Sequence, residues 1–140
     1  MFKKLLFLIW GAKESPEILE KVVELAKSLN SEIIAFNVID LNIVRNLTKE
    51  LQKREAEVLV DLEEDGWKYL YHLEDLAKEK GVKILLVQEE GILESEILKA
   101  YKKFGADIII LPKYTGSVFH YYTKIIEDIL KKLDCSILVI

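Results

Sequence analysis

The apolar positions of this chain change their period repeatedly, which predicts strands that alternate with helices. Five short runs are largely apolar, as in strands that are covered on both faces. Between them, apolar residues recur every three or four positions, as on one face of a helix. The predicted strands are 5–10, 32–39, 82–87, 107–111 and 136–140, and the predicted helices are 16–29, 41–80, 94–104 and 118–133.

Local signals mark where the first two helical segments start and stop. Ser15 offers a hydroxyl cap and Pro16 fits the first helical position, while Asn30 is a plausible stop. The stretch 41–80 predicts either one long helix or two helices broken near Asp65–Gly66, because glycine inside a helix costs about 1 kcal/mol relative to alanine.

This alternation predicts the fold class. Each helix connects two strands as a crossover, and such connections imply a parallel sheet with helices on both faces. We therefore expect an α/β fold, a three-layer, Rossmann-like α/β/α arrangement with a five-stranded parallel sheet. A chain of 140 residues, 51% hydrophobic, is long enough to bury a core. We expect one domain over residues 1–140.

Composition narrows the function classes. A net charge of −4 does not favour nucleic acid or an anionic membrane surface as partner. The apolar run near the N-terminus is too short to cross a bilayer. A single cysteine, Cys135, excludes an internal disulfide and favours a cytoplasmic location, and it is interpreted as a small buried hydrophobe.

The strand-to-helix turn in segment 107–123 is the place where nucleotides bind in open α/β sheets. It contains only one glycine, Gly116. Lys113 together with Thr115 and Ser117 could hold a phosphate on free N–H groups, or could simply form a turn before a helix cap. The sequence leaves both interpretations open.

Five segments in order resemble the universal stress protein family over nearly the whole chain. The resemblance implies the strand order 3-2-1-4-5 and a homodimer. It rests on KLLFLIWGAKES at 4–15, FNVID at 36–40, VQEEG at 87–91 with EIL at 96–98, ADIIIL at 106–111 and CSILVI at 135–140.

The functional motif of that family is altered in this sequence. Its nucleotide-binding members carry G-x2-G-x9-G-[ST] after strand four, and an acid at the end of strand one. Here the first glycine position falls on Pro112, which has no N–H to donate. The final pair falls on Thr123–Lys124, and Gly116 matches the second glycine only after the spacing is shifted. Trp10 takes the place of the acid.

Aromatic and histidine side chains give further candidates. Tyr114, Tyr121 and Tyr122 are predicted to fill the crevice or to contact a second copy, with a binding surface as the alternative. His72 is interpreted as structural, and His120 is the better functional candidate of the two. No combination of nucleophile, base or metal ligands indicates an enzyme.

The sequence therefore predicts a cytoplasmic, non-enzymatic regulatory or interaction module of the stress response, without a cofactor and with an unidentified protein partner. We expect its homodimer to form through the C-terminal edge strand, residues Ser136, Ile137, Leu138, Val139 and Ile140. The alternative is a switch that binds ATP or AMP at an altered loop over 112–124. Its cleft would contain Trp10, Gly11, Val38, Lys113, Thr115, Gly116 and Ser117.

Overall fold

A computed structural model describes residues 2–10, 15–113 and 119–140 of the protein. Five strands alternate with helices along the chain, as the apolar periods predict. The elements are β1 Lys4–Trp10, α1 Pro16–Leu29, β2 Glu32–Asp40, α2 Leu41–Leu51, α3 Glu55–Glu79, β3 Ile84–Gly91, α4 Leu93–Phe104, β4 Ile108–Leu111, α5 Phe119–Lys132 and β5 Ser136–Val139.

The five strands form one parallel sheet in the order β3-β2-β1-β4-β5, which confirms the predicted order. Helices cover both faces. Residues of α1 and α3, such as Val22 and Leu70, pack with one face of the central strands. Residues of α4 and α5, such as Ile97 and Ile125, pack with the other face. The three-layer prediction is therefore confirmed.

The signals at both ends of α1 act as predicted. The Ser15 hydroxyl accepts a hydrogen bond from the Ile18 N–H at 3.4 Å, and Pro16 occupies the first turn. Asn30 ends the helix in the left-handed conformation, with φ of 53°. An asparagine tolerates that conformation better than most residues, which explains why the helix stops there.

The predicted helix break at Asp65–Gly66 is wrong. Segment 41–80 does form two helices, but the chain leaves the helical path at Gln52, where φ is 53°, and α3 begins after Arg54. Gly66 lies buried inside α3. Because Gly66 has no side chain, α3 can pack closely against the sheet at this point, and the helix continues through it.

Strand β3 is longer than predicted and extends beyond residue 87 into polar sequence. Gln88 pairs with Asn37 of β2, and Glu89 and Glu90 continue the ladder to Gly91. The predicted strand ended at residue 87 because the side chains after it are polar.

In the described part of the chain, no helix has the length and apolar character needed to cross a membrane.

Candidate functional site

The carboxyl ends of the parallel strands meet at one edge of the sheet, where β1 ends at Trp10, β2 at Asp40 and β4 at Leu111. In open α/β sheets, ligands bind outside this edge at the point where the strand order reverses. The order β3-β2-β1-β4-β5 places that point between β1 and β4. We call this place the switch crevice.

Aromatic side chains pack at the switch crevice. Trp10 and Tyr122 are 5% and 3% exposed, and their rings stack with centroids 6.0 Å apart and planes 11° apart. Tyr121 lies against the same indole at 5.7 Å. The Tyr122 hydroxyl donates a hydrogen bond of 2.5 Å to the Pro112 carbonyl oxygen, next to the end of β4. We call Trp10, Tyr121 and Tyr122 the aromatic cluster.

Tyr121 connects the aromatic cluster to the end of β2. Its hydroxyl donates to Asp40 Oδ2 at 3.2 Å and accepts from Asn42 Nδ2 at 3.4 Å. Asp40 also caps α2 by accepting from the Asn42 N–H at 3.0 Å. Burial raises the pKa of Tyr121, the Asn42 hydrogen bond lowers it, and the Asp40 carboxylate raises it, with a net upward shift. The phenol therefore stays protonated and remains the donor.

Trp10 also lines a cavity of about 540 Å³, between the ends of β1 and β2 and the helices α2 and α3. We call it the α3 cavity. Its volume lies in the range of small-molecule sites, roughly 300–1,000 Å³. Most of its wall is apolar, with a smaller number of polar groups. Among the described residues it is lined by Trp10, Asn37, Val38, Ile39, Asp40, Ile43, Leu62, Asp65, Lys68, Tyr69 and His72.

Two side-chain amides run from α3 to the floor of this cavity. Gln88 Nε2 donates to the Glu63 carbonyl oxygen at 3.1 Å, so Gln88 must turn its oxygen towards Asn37. Asn37 Nδ2 then donates to that oxygen at 2.7 Å. A methyl group at Gly66 would overlap both amides, which is why α3 carries a glycine here. We call Asn37 and Gln88 the amide relay.

The amide relay leaves one acceptor at the cavity floor. Asn37 is 2% exposed, and its Oδ1 accepts no hydrogen bond from any described residue. A buried acceptor without a partner costs about 1–3 kcal/mol. The orientation of the amide is fixed by the helix carbonyl through Gln88. Asn37 Oδ1 is therefore a buried acceptor that the described residues leave unsatisfied.

Three charged or titratable side chains of α3 stand at the rim. Asp65, Lys68 and His72 are exposed and line the cavity from one face of the helix. Lys68 and His72 form no hydrogen bond or ion pair with any other residue of the described chain. The rim therefore carries one carboxylate, one ammonium group and one imidazole.

The structure brings together only part of the predicted site. Trp10 and Val38 line the α3 cavity. Lys113 is exposed after β4, and its N–H donates to the Ile140 carbonyl oxygen at 2.9 Å. The predicted Gly11, Tyr114, Thr115, Gly116 and Ser117 lie outside the described residues.

Both histidines are exposed, and the interpretation of His72 as a structural residue stays a prediction. His72 is exposed because it lies on the α3 face that borders the cavity. His120 lies on α5 and does not line the α3 cavity. Among residues 2–10, 15–113 and 119–140, no group of three or more His, Cys, Asp or Glu side chains could hold a metal ion.

The cavity floor was not predicted, although the sequence carries a signal for it. Asn37 interrupts an otherwise apolar strand between Phe36 and Val38. A polar side chain in a strand covered on both faces must find a partner or serve a ligand. The contributions of Lys68 and His72 had no comparable signal, because exposed basic residues on a helix are common.

Comparison with known proteins identifies the family. The family model "Universal stress protein family" matches residues 1–140. Universal stress protein MJ0531 of Methanocaldococcus jannaschii is 28% identical over 142 residues, which cover 100% of this chain and 82% of that protein.

Solved structures share the fold. The chain is similar to the hypothetical protein MJ0577, with 26% identity and a TM-score of 0.76 over 100% of this chain and 96% of that one. It is also similar to a universal stress protein of Arabidopsis thaliana with AMP bound, at 14% identity and a TM-score of 0.63, covering 99% and 90% of the two chains. The chain belongs to the universal stress protein family.

Proposed function

We propose that this protein is a cytoplasmic, non-enzymatic regulatory or interaction module of the stress response that does not bind ATP tightly and needs no cofactor. One observation carries the proposal: Tyr122 is buried against Trp10 at the switch crevice, where a nucleotide would bind. Binding there would first require the two stacked rings to separate. That separation would expose a large apolar area to water, which opposes binding.

The chemistry at the crevice supports the same proposal. Trp10 occupies the end of β1, and an indole offers only an N–H donor where a carboxylate would accept hydrogen bonds. Pro112 has no N–H for a phosphate, and the Tyr122 hydroxyl already uses its carbonyl oxygen. Trp10 and Pro112 therefore supply few of the hydrogen bonds that a bound triphosphate would need.

Calorimetric titration with ATP and ADP tests the proposal. We expect no binding tighter than about 100 µM, which corresponds to roughly 5.5 kcal/mol. A tighter ATP complex would overturn it, above all if Lys113→Ala weakened that complex. Lys49→Ala serves as the matched control, because Lys49 lies on α2 and does not line the α3 cavity.

We further propose that the protein forms a homodimer through β5, which would present one surface to a protein partner. β5 is an edge strand of the sheet, and Leu138 and Val139 are 36% and 48% exposed. A two-fold axis at this edge would pair the strand with its copy and cover these side chains.

Sedimentation velocity at micromolar concentration tests the dimer. We expect a dimer for the native chain and a monomer for Leu138→Lys, because a lysine in the contact would place a buried charge there. Val60→Lys is the control, since Val60 is also apolar and exposed but lies on α3. A native chain that stays strictly monomeric would contradict the proposal.

A second candidate function is a nucleotide-binding switch that uses ATP or AMP at the altered loop over 112–124. It is favoured by the AMP bound to the similar Arabidopsis thaliana protein and by the exposed Lys113 that follows β4. In this case the titration would give a saturable nucleotide complex that Lys113→Ala weakens. The native mass of the purified protein would also include the nucleotide.

A further inference from the structure

We propose that a pocket at the amino ends of the strands binds a small anion that carries several phosphate groups. The pocket has a volume of about 660 Å³ and lies where α1 and α3 end and where β1, β2 and β3 begin. We call it the amino-edge pocket. Because all five strands are parallel, it lies at the edge of the sheet opposite the switch crevice and the α3 cavity. The inference therefore goes beyond the proposed function and does not depend on it.

Two helix-to-strand turns form the amino-edge pocket. Asn30 ends α1 with φ of 53°, and Gly81 follows α3 with φ of 70°. Both turns lead the chain into strands that are neighbours in the sheet, β2 and β3, so the turns lie side by side. A Cβ atom at Gly81 would meet no other atom within 4 Å, so this turn borders open space. The connections of the fold therefore leave room for a ligand between them.

The charged lining of the pocket is strongly basic, although the whole chain has a net charge of −4. Lys4 Nζ lies 3.7 Å from Glu32 Oε1, and the other four lysines of the lining form no ion pair with any described residue. Asp107 accepts hydrogen bonds from the Lys3 and Lys4 N–H groups, but it does not line the pocket. The charged lining consists of Lys3, Lys4, Lys27, Lys80, Lys83 and Glu32.

The helix ends explain only part of this positive charge. The carboxyl end of a helix attracts cations, and Lys27 lies in the last turn of α1 while Lys80 caps α3. Lys3 and Lys83 instead precede strands. Their carbonyl oxygens accept from the N–H groups of residues 32 and 33 at 2.9 Å each, so the two lysines flank the start of β2. The charge of Lys3 and Lys83 is therefore available to an anion.

The lining favours phosphate groups over other anions. Among its described residues there is no arginine, whose planar fork matches a carboxylate, whereas a lysine binds phosphate as a compact point charge. The described lining also contains no aromatic side chain on which a base could stack. More of the wall is polar than apolar. Four lysines without an acidic partner favour an anion that carries more than one phosphate group.

Two kinds of molecule share this chemistry, namely free oligophosphates and phosphorylated sugars. We would titrate the full chain calorimetrically with inorganic tripolyphosphate and with fructose 1,6-bisphosphate at low ionic strength. Of the two, the one that binds more tightly identifies the kind of ligand. Inorganic monophosphate is the control for charge number and should bind at least about tenfold more weakly, because it forms fewer charge-assisted hydrogen bonds.

We expect at least one of these polyanions to bind with a dissociation constant below about 1 mM. The affinity should fall by about tenfold between about 10 mM and about 150 mM salt, because the Debye length shortens from roughly 30 Å to roughly 8 Å.

Substitutions in the pocket test where the polyanion binds. Lys3→Ala/Lys83→Ala should weaken it at least about tenfold, because two charged donors are lost, whereas Lys3→Arg/Lys83→Arg should retain most of the affinity. Glu32→Gln should strengthen binding about threefold, because it removes the acid of the lining and frees Lys4. Lys49→Ala/Lys53→Ala is the matched control, since it removes the same charge from residues that do not line the pocket.

Three results would overturn the inference. One is the absence of saturable binding by both polyanions at millimolar concentration. Another is an equal loss of affinity in Lys3→Ala/Lys83→Ala and Lys49→Ala/Lys53→Ala, which would reflect net charge alone. The third is a complex that only Lys113→Ala abolishes, which would place the anion at the loop after β4. Because the ATP titration depends on Lys113 and not on Lys3 or Lys83, this inference and the proposed function can fail separately.

Discussion

The switch crevice and the α3 cavity lie at the same edge of the sheet and share Trp10, yet one is filled and the other is open. On the α5 side, Tyr121 and Tyr122 pack against the indole. On the α3 side, the floor carries Asn37 and Asp40, and Asn37 Oδ1 has no hydrogen-bond partner among the described residues. The open region therefore has polar groups at its floor, whereas the filled region is closed by stacked aromatic rings.

The most severe test of the filled region is Tyr122→Ala. We expect the free energy of unfolding to fall by about 3–4 kcal/mol, because a buried ring and its stack on Trp10 are lost. Urea denaturation followed by circular dichroism measures the change. Tyr71→Ala is the control and should change stability by less than about 0.5 kcal/mol, since Tyr71 is 54% exposed. An equal loss in both variants would show that the crevice is not packed.

Gly66→Ala tests the close approach of α3 to the amide relay. Helix propensity alone predicts a gain of about 1 kcal/mol. We expect instead a loss of about 2 kcal/mol, because the new methyl group would displace the Gln88 and Asn37 amides.

A double-mutant cycle supplies the control for Gly66→Ala. In a Gln88→Ala background, the methyl group meets a smaller neighbour, so the penalty should shrink or change sign. A stabilising effect of Gly66→Ala in the native background would show that the relay does not constrain α3.

Tyr121→Phe tests the connection between the two regions and its dependence on pH. We expect a loss of about 1 kcal/mol at pH 7, when the hydroxyl donates to Asp40. Burial first, and then Asp40, hold the pKa of Tyr121 above its ordinary value of 10.0. The stabilisation is therefore fully present below pH 10.0 and is lost as the pH rises through the folded-state pKa.

Urea denaturation at stepped pH values from neutral to alkaline would measure this dependence. The native chain and Tyr121→Phe should converge in stability above the folded-state pKa of the phenol. Tyr71→Phe controls for general alkaline effects. A constant difference between Tyr121→Phe and the native chain at every pH would contradict the assigned hydrogen bond.

The smallest effect is expected at the open region. Lys68→Ala and His72→Ala should each change the free energy of unfolding by less than about 0.5 kcal/mol, because both side chains are exposed and unpaired among the described residues. Thermal denaturation measures this directly. A larger loss in either variant would mean that the rim serves the fold and is not available to a ligand.

The sequence predicted the fold well because its signals are local. Apolar runs marked all five strands, and the resemblance implied their order. The same reasoning failed at Gly66 and at the end of β3. Gly66 and Gln88 lie far apart in the sequence but are close in the fold, and each is explained by its contact with the other. Propensity treats Gly66 as a helix breaker and Gln88 as a loop residue, and only the packing of α3 on the sheet explains both.

The candidate site was predicted in part for a similar reason. Trp10 and Val38 could be placed because strand ends collect at one edge of a parallel sheet. Lys68 and His72 could not, because the direction in which α3 turns them depends on how the helix packs over β2. Asn37 carried a usable signal as a polar residue in a buried strand.

The amide relay also has a consequence for the alignment of the sheet. β3 is an edge strand, paired on one side only, and such strands can slip along their neighbour. A shift by one residue would move Gln88 away from both Asn37 and the Glu63 carbonyl. Neighbouring Val87 and Glu89 offer no amide to replace it. The hydrogen bonds of Gln88 therefore favour one register of the edge strand β3 over its neighbours.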